Sequence, residues 1–383
     1  MTTAIDLAAV RATEFPIAAR IAYLDHASVS PMPARTAAVM AERVAALQDP
    51  SREHGQGPAY VGEAAERIGR LLNAAPKQIA FLSNLAEAAA IVANGLSLNP
   101  GDEVVIPEQE FASLVYPWLN LEARGVRVVF VPRDGPASDF ERIVAAISPR
   151  TKALALSHVE FRNGFRHDMI ELGELCRRHG ILFFVDVTQS LGILPIDVVA
   201  WQADAVAAHG YKWLMAFPGI AALYVSEAAM ERIQPTAPGR SSVTGGFEPL
   251  DYALDWHPDA RRYQGGGPNW LGAAAVATSL SLVEEIGIER VAKQARAVSD
   301  HLLAGLEELP VTIASDVQPE HRSSILTFTT GSEERDKSLV AAARAENIII
   351  GRRGMGIRTA ASFWNNAADA DRLLELVRAK TRP

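Results

Sequence analysis

The sequence predicts an α/β fold with two parts, a large domain built on a mostly parallel sheet and a smaller α+β domain at the C-terminal end. Seven short apolar runs alternate with helical patterns between residues 78 and 226. A Gly- and Pro-rich tract after residue 230 separates them from a second group of elements. At 383 residues the chain is also long for a single hydrophobic core, so two domains are expected.

The seven runs are typical of strands that are covered on both faces, because their apolar residues are continuous rather than alternating. They are QIAFLS (78–83), EVVIPE (103–108), RVVFVP (127–132), ALALSHV (153–159), ILFFVDV (181–187), ADAVAA (203–208) and IAALYVS (220–226). Between two of them, MIELGELCRRHG (169–180) has helical spacing and ends at Gly180. Strand, helix and strand in repetition predict a parallel sheet.

The second group of elements opens with a helical pattern at 271–287 and continues with SDHLLAGLEELP. Two strand candidates, SSILTFTT and NIIIGRR, precede a closing amphipathic helix, AADADRLLELVRAK. We therefore assign residues 20–262 to the large domain, and residues 1–19 with 263–383 to the small domain.

Composition excludes several function classes. With 37 basic and 45 acidic residues the net charge is −8 without a long run of one sign, which argues against a nucleic-acid partner. The apolar runs are too short to span a membrane, and Asp6, Arg11 and Glu14 interrupt any secretory signal. The single cysteine, Cys176, cannot form an internal disulfide, so we expect a reducing, cytoplasmic location. Nucleotide loops, metal-ligand clusters and the GxSxG elbow are absent from the sequence, and no metal is expected.

Polar residues follow two neighbouring predicted strands, at the sheet edge where parallel α/β proteins bind ligands. Asp186 and Gln189 follow one strand, and His209 and Lys212 follow the next. An acid at the end of an apolar strand is costly to bury unless it is paired. Asp186 alone is equally well explained as a capping or salt-bridged residue, but the pair with Lys212 indicates pyridoxal 5'-phosphate (PLP). That cofactor needs an amine for a Schiff base and a carboxylate beside its pyridine nitrogen.

The stretch FFVDVTQSLGILPIDVVAWQADAVAAHGYKWLMAFPGIAALYV resembles the core signature of the class V aminotransferase family of fold type I PLP enzymes. That family includes cysteine desulfurases, selenocysteine lyases, kynureninase and isopenicillin N epimerase-like proteins. Other segments resemble the family as well: AYLDHASVSPMP, FLSNLAEAAAIVANGL, EFASLVYPWL, RRYQGGGPN and GIRTAASFWNN. The resemblance covers nearly the whole chain and implies the PLP-dependent transferase fold, with a three-layer α/β/α domain. It also implies a homodimer whose active site lies at the subunit interface.

The resemblance implies a role for each matching residue. Lys212 would form the Schiff base and move the Cα proton, Asp186 would pair with the pyridinium nitrogen, and Gln189 would bind the phenolic oxygen. For the cofactor, the resemblance also implies ring stacking by Phe111, phosphate binding by the N–H groups of Leu85 and Ala86 with His209 and Tyr211, and approach of Gly267 from a second subunit. For the substrate, it implies binding of the α-carboxylate by Arg358 and contacts by His26 and Ser28.

The sequence departs from the family in the implied cofactor contacts and in the loop before Arg358. The phosphate turn reads SNLAE at 83–87 without the usual threonines, and Gly267, His209, Tyr211 and Phe161 replace other family residues. The loop before Arg358, IIIGRRGMGIRTA, lacks the nucleophilic cysteine of sulfur-mobilising desulfurases. A persulfide-forming desulfurase is therefore not expected.

We expect a PLP enzyme that acts on a small α-amino acid through an external aldimine and a Cα carbanion. C–S lyase-type β-elimination is favoured. Transamination and epimerisation stay open because all three reactions need the same lysine, aspartate and arginine. A non-catalytic binding protein on the same fold is the alternative from a different class.

Overall fold

The computed structural model describes residues 5–49, 51, 56–133, 140–245 and 252–381. Its strands, numbered along the chain, are β1 (Ala22–Tyr23), β2 (Ile79–Leu82), β3 (Glu103–Pro107), β4 (Arg127–Val131), β5 (Thr151–Ser157), β6 (Leu182–Asp186), β7 (Ala205–His209), β8 (Ala221–Val225), β9 (Thr312–Ile313), β10 (Ile325–Thr329), β11 (Ile348–Ile349), β12 (Gly351–Arg353) and β13 (Gly356–Ala360). Its helices are α1 (Leu7–Glu14), α2 (Ala34–Ala46), α3 (Gln56–Leu72), α4 (Leu85–Gly95), α5 (Ala112–Leu119), α6 (Phe140–Ala146), α7 (Met169–His179), α8 (Glu227–Met230), α9 (Trp270–Ile286), α10 (Ile288–Glu307), α11 (Glu333–Ala345) and α12 (Ala367–Thr381).

All seven predicted strands of the large domain are confirmed and form one sheet in the order β2-β8-β7-β6-β5-β3-β4. Of these seven strands, β8 alone points the opposite way, antiparallel to β2 on one side and to β7 on the other. The run LFFVD of β6 shows why these strands are continuously apolar. Phe183 and Val185 pack into the core on one face of the sheet, and Leu182 and Phe184 pack into the core on the other. Helices cover both faces, so the predicted three-layer arrangement is confirmed.

A four-stranded antiparallel sheet, in the order β12-β13-β10-β9, forms the smaller α+β part with α10, α11 and α12. Here the structure differs from the prediction in two respects. NIIIGRR is not one strand, because β11 pairs with β1 whereas β12 pairs with β13 in the other sheet. GIRTA, which forms β13, was not predicted as a strand, since Arg358 interrupts its apolar pattern.

Helix α9 packs against α2 and α3, and its buried residues belong to the same hydrophobic cluster as the large sheet. A separate cluster contains Leu302 of α10, Phe328 of β10 and Leu373 of α12. The domain bounds given above stay a prediction. Among the described residues no single helix is long and apolar enough to cross a membrane, and only the pair α9 and α10, bent by 83°, meets that test by length and composition.

Candidate active site

The parallel strands β5, β6 and β7 end at the same edge of the large sheet, with Ser157 opposite Asp186 and Asp186 opposite Ala207. Asp186 is the last residue of β6 and is only 4% exposed. Its Oδ1 accepts a hydrogen bond of 2.7 Å from the Thr188 backbone N–H. Lys212 lies three residues beyond the end of β7 and is 6% exposed. The topology therefore brings the carboxylate and the amine to one edge, which is where the sequence places them.

Burial lowers the pKa of the Lys212 amine to about 8, although the nearby Asp186 carboxylate opposes this shift. The positive charges of Arg358 and Arg353 lower it further. Burial also raises the pKa of Asp186, against the Thr188 hydrogen bond and the charge of Lys212. A lysine with a pKa near 8 has a large neutral fraction under mildly basic conditions, and the neutral amine is the nucleophile that Schiff-base formation requires.

Phe111 lies directly before α5, at the end of the segment that follows β3, and its ring is partly buried. The ring centroid is 5.5 Å from Lys212 Nζ and 5.3 Å from the centroid of the Phe161 ring, which it meets edge-on. An aromatic face therefore lies beside the amine, as a ring-stacking role for Phe111 requires.

Leu85 and Ala86 are the first two residues of α4. Asn84 caps this helix by accepting a hydrogen bond of 3.0 Å from the Glu87 N–H, and the Glu87 carboxylate accepts one of 2.7 Å from the Ser83 N–H. The N–H groups of Leu85 and Ala86 have no acceptor within the helix, since the first turn of any α-helix leaves its N–H groups without one. Two donors thus point outward from a helix N-terminus, the geometry that binds phosphate.

His209 ends β7, and its ring lies 4.9 Å from the ring of Tyr211. Burial, reinforced by the charge of Lys212, lowers the pKa of His209 to about 4. Burial raises the pKa of Tyr211. Both side chains are therefore neutral at physiological pH, and as phosphate ligands they would act as hydrogen-bonding groups rather than as counter-charges.

Gln189 is held on both sides by the protein. Its Nε2 donates to the Ala27 carbonyl oxygen (3.0 Å), and its Oε1 accepts from Trp213 Nε1 (3.1 Å). An amide nitrogen carries two N–H donors, so one remains for a ligand. The contact with a phenolic oxygen stays a prediction.

Arg358 on β13 is 1% exposed, and three protein groups bind it. Its Nη1 donates to the Phe161 carbonyl oxygen (2.6 Å), and its Nη2 donates to Asp25 Oδ1 (3.1 Å) and to Ser28 Oγ (2.7 Å). Burial lowers the pKa of Arg358 to about 10, although Asp25 opposes the shift. The Nε donor is buried and has no protein acceptor. Arg358 therefore keeps one donor that the protein leaves without an acceptor, and its binding of a substrate carboxylate stays a prediction.

Asp25 and Ser28 reach Arg358 because the N-terminal segment crosses the small domain. The Leu24 carbonyl oxygen accepts from the Ala360 N–H (2.7 Å), and Asp25 lies in a bridge with Ala360. A Cβ on Gly351 would lie 2.9 Å from both Asp25 carboxylate oxygens, so glycine is needed there for the carboxylate to approach. Asp25 was missed by the sequence reasoning, although it lies inside the quoted segment AYLDHASVSPMP.

Arg353 was also missed. Its Nη2 donates to Ser28 Oγ at 2.6 Å, so two arginines converge on this hydroxyl. The signal was present as GRR (351–353), a pair of arginines shortly before Arg358.

The remaining predicted residues lie in different surroundings. His26 is fully buried between the rings of Trp213 and Trp364, with Nδ1 3.1 Å from Ser30 Oγ, and burial lowers its pKa to about 3. Gly267 is exposed in the loop before α9, and a Cβ there would meet no atom within 4 Å. Substrate contact by His26 and approach of Gly267 to a second subunit stay predictions.

A buried acidic network lies behind this site. Glu110, next to Phe111, accepts from the N–H and the Oγ of Ser157, each at 2.6 Å. Glu160 contacts Arg133 at 3.0 Å and His167 at 3.2 Å. Burial raises the pKa of Glu110, and the negative charge of Glu160 raises it further. Although burial raises it, the pKa of Glu160 is lowered overall by the charge of Arg133 and the hydrogen bond with His167.

Comparison with known proteins identifies the family. The model of the family described as aminotransferase class-V matches residues 22–369. The chain belongs to the aminotransferase class-V family. This class-V protein is 28% identical to a probable cysteine desulfurase of Methanothermobacter thermautotrophicus, over 94% of the chain and 95% of the relative. It is 27% identical to isopenicillin N epimerase of Streptomyces clavuligerus, over 85% of each.

Solved structures agree on the fold. The cysteine desulfurase of Thermococcus onnurineus NA1, solved in its apo form, superimposes with a TM-score of 0.90 at 21% identity, covering 100% of this chain and 99% of that one. A cystine C–S lyase in complex with its product cysteine persulfide superimposes with a TM-score of 0.87 at 22% identity, covering 95% and 99%. These likenesses confirm the fold type I architecture.

The class-V protein is a PLP-dependent enzyme that acts on an α-amino acid. The described residues fit this cofactor: Lys212 is a buried amine of lowered pKa, Asp186 a buried carboxylate at the same sheet edge, and Phe111 an aromatic face beside the amine. The capped start of α4 leaves two N–H donors for the phosphate.

Proposed function

We propose that this class-V enzyme catalyses β-elimination at the Cβ–S bond of a cysteine-derived amino acid. The observation that carries the proposal is the state of its only cysteine. Cys176 lies on α7 in the core beneath the large sheet, 1% exposed, and burial raises the pKa of its thiol. A buried thiol of raised pKa is a poor nucleophile, so the sulfur must leave with the product rather than pass to the enzyme.

The chain supplies three groups for this reaction. Arg358 binds the substrate α-carboxylate through its unpartnered Nε and so orients the Cα–H bond. The bound cofactor supplies an electron sink for the charge that develops at Cα. Lys212, which is neutral above a pKa of about 8, accepts the Cα proton. The Cβ–S electron pair leaves with sulfur, which takes up a proton as a thiol, and the remaining carbon skeleton hydrolyses to an oxo acid and ammonia.

The test is product analysis of the PLP-loaded enzyme with cysteine and cysteine S-conjugates, with and without an oxo-acid acceptor. Elimination predicts pyruvate without the acceptor, together with sulfide from cysteine or a thiol from an S-conjugate. Strict dependence on the acceptor would instead establish an aminotransferase, and inversion at Cα without either product would establish an epimerase. A protein that binds PLP and amino acids without any product would establish a binding module.

Lys212→Ala is the matched loss-of-function variant, and Lys152→Ala on the exposed face of β5 is its control. Loss of a general base reduces rates by roughly 10²- to 10⁴-fold, so Lys212→Ala is expected to fall by at least that factor. Lys152→Ala is expected to keep the wild-type rate.

We further propose a cytoplasmic homodimer. A buried, unpaired cysteine suits a reducing compartment. The exposed Gly267 loop is free to approach a second subunit. Light scattering of the PLP-loaded protein tests the assembly, and a monomer that binds PLP tightly would contradict it.

A further inference from the structure

The β12–β13 hairpin carries a second arginine, Arg353, on the same face as Arg358. In the β12–β13 hairpin, Arg358 lies opposite Gly351, and Arg353 lies opposite Gly356. Positions two residues apart on a strand share a face, so Arg353 and Arg358 point the same way. Arg352 points to the other face, where it forms an ion pair with Glu333 at 3.0 Å.

The two guanidinium groups meet at one hydroxyl. Ser28 Oγ accepts from Arg358 Nη2 (2.7 Å) and from Arg353 Nη2 (2.6 Å), and it donates to Asp25 Oδ1 (2.9 Å). Asp25 also forms the ion pair with Arg358 at 3.1 Å. One carboxylate therefore faces two cations, and its ion pair is with Arg358.

Arg353 has only neutral acceptors in the described part of the chain. They are Ser28 Oγ and the Arg352 carbonyl oxygen, the latter at 2.7 Å from Nη1. A third arginine lies close by, since Arg162 Nη2 is 2.7 Å from the position that a Cβ on Gly354 would occupy. Arg162 Nη1 donates to the neutral amide oxygen of Gln109 (2.7 Å). The hydrogen-bond acceptors named here for Arg353 and Arg162 are thus neutral, whereas Arg358 has the carboxylate of Asp25.

Both arginines act on the amine of Lys212. Burial is the main cause of its lowered pKa, and the charges of Arg358 and Arg353 lower the pKa further, against a larger opposing effect of Asp186 and a smaller one of Asp25. A substrate bound beside Lys212 would therefore lie near both Arg358 and Arg353. Arg358 is assigned to the substrate α-carboxylate, whereas no anion is yet assigned to Arg353.

We propose that Arg353 binds an oxyanion on the substrate side chain, so that the enzyme selects α-amino acids whose side chain ends in a carboxylate or sulfinate. Arg353 would exchange its neutral acceptors for this anion and gain a charge-assisted pair. The inference rests on the amino-acid substrate of the proposed function and names its class.

The test measures ligand binding and does not depend on turnover. Dicarboxylates from malonate to adipate are titrated into the PLP-loaded enzyme by calorimetry, each beside the monocarboxylate of the same chain length. Losing one charge-assisted hydrogen bond weakens binding by about ten- to a hundredfold. Arg353→Gln should weaken the best dicarboxylate by about tenfold or more and change its matched monocarboxylate by less than about twofold. Arg352→Gln, the control on the opposite face, should change neither.

Equal losses for both ligand types in Arg353→Gln would overturn the proposal, because Arg353 would then act at the α-carboxylate or only position Ser28. Unchanged binding of both would overturn it as well. The melting temperature of each variant excludes unfolding as the cause, and Arg353→Lys should restore part of the dicarboxylate affinity. If dicarboxylates bind as expected but no thiol or oxo acid forms in the product assay, the elimination proposal fails while this one stands.

Discussion

Replacing Asp25 by asparagine tests the energetics of the site most sharply. Asp25 is the carboxylate that pairs with Arg358, which is 1% exposed, whereas the Asp25 side chain is 13% exposed. Removing one partner of a fully buried pair costs about 3–5 kcal/mol, because the other charge is left uncompensated. Asparagine keeps an oxygen acceptor and the site is partly open, so a smaller loss of about 2 kcal/mol in the free energy of unfolding is expected.

The measurement is urea unfolding of the apo-protein, with Asp259→Asn as the control. Asp259 pairs with Arg261 at 2.8 Å, and its side chain is 13% exposed like that of Asp25, but the Arg261 side chain is 55% exposed. An exposed pair contributes about 1 kcal/mol at most. Asp25→Asn leaves Arg358 in need of an anion, so saturating butyrate should restore more stability to this variant than to wild type. Equal losses of unfolding free energy in Asp25→Asn and Asp259→Asn, with no extra effect of butyrate, would contradict this prediction.

Three further predictions follow from the same geometry. Gly351→Ala places a Cβ 2.9 Å from both Asp25 carboxylate oxygens, so the KM for amino acids should rise severalfold. The far-UV circular dichroism should be unchanged, and an unchanged KM would contradict the close approach of Asp25 to position 351. Only the neutral amine reacts, so the rate at which apo-protein captures PLP should rise with pH through about 8, the pKa of Lys212, and then level off. Stopped-flow absorbance measures this rate, and a midpoint near the ordinary lysine pKa would count against a desolvated amine. Phe111→Ala should weaken PLP binding by about three- to tenfold in an equilibrium titration, since an aromatic pair contributes roughly 0.5–1.5 kcal/mol. Phe111→Tyr should preserve the affinity, and equal PLP affinities of Phe111→Ala and wild type would contradict the stacking role.

The large domain was predictable from sequence because its strands are buried on both faces. That requirement produces continuous apolar runs such as LFFVD, which are visible without knowledge of the fold. Parallel strands must also end at a common edge, so the meeting of Asp186 and Lys212 followed from the order of the elements alone.

The group of residues around Arg358 could not be predicted from the sequence in the same way. Asp25 and Arg358 lie 333 positions apart, and they meet only because β1 pairs with β11 while Asp25 bridges to Ala360. Short strands of two or three residues leave no periodicity to read, so NIIIGRR gave no sign that it divides between two sheets. Arg353 in isolation was indistinguishable from a surface arginine, and its register against β13 gives it a role.

We propose that Lys212 holds the cofactor. Borohydride reduction of the PLP-loaded enzyme fixes the Schiff base covalently, and mass spectrometry of the digested protein then identifies the modified lysine. We predict that the pyridoxyl group is found on the peptide containing Lys212 and that Lys212→Ala takes up none. A pyridoxyl group on another lysine, or equal labelling of Lys212→Ala, would contradict the account.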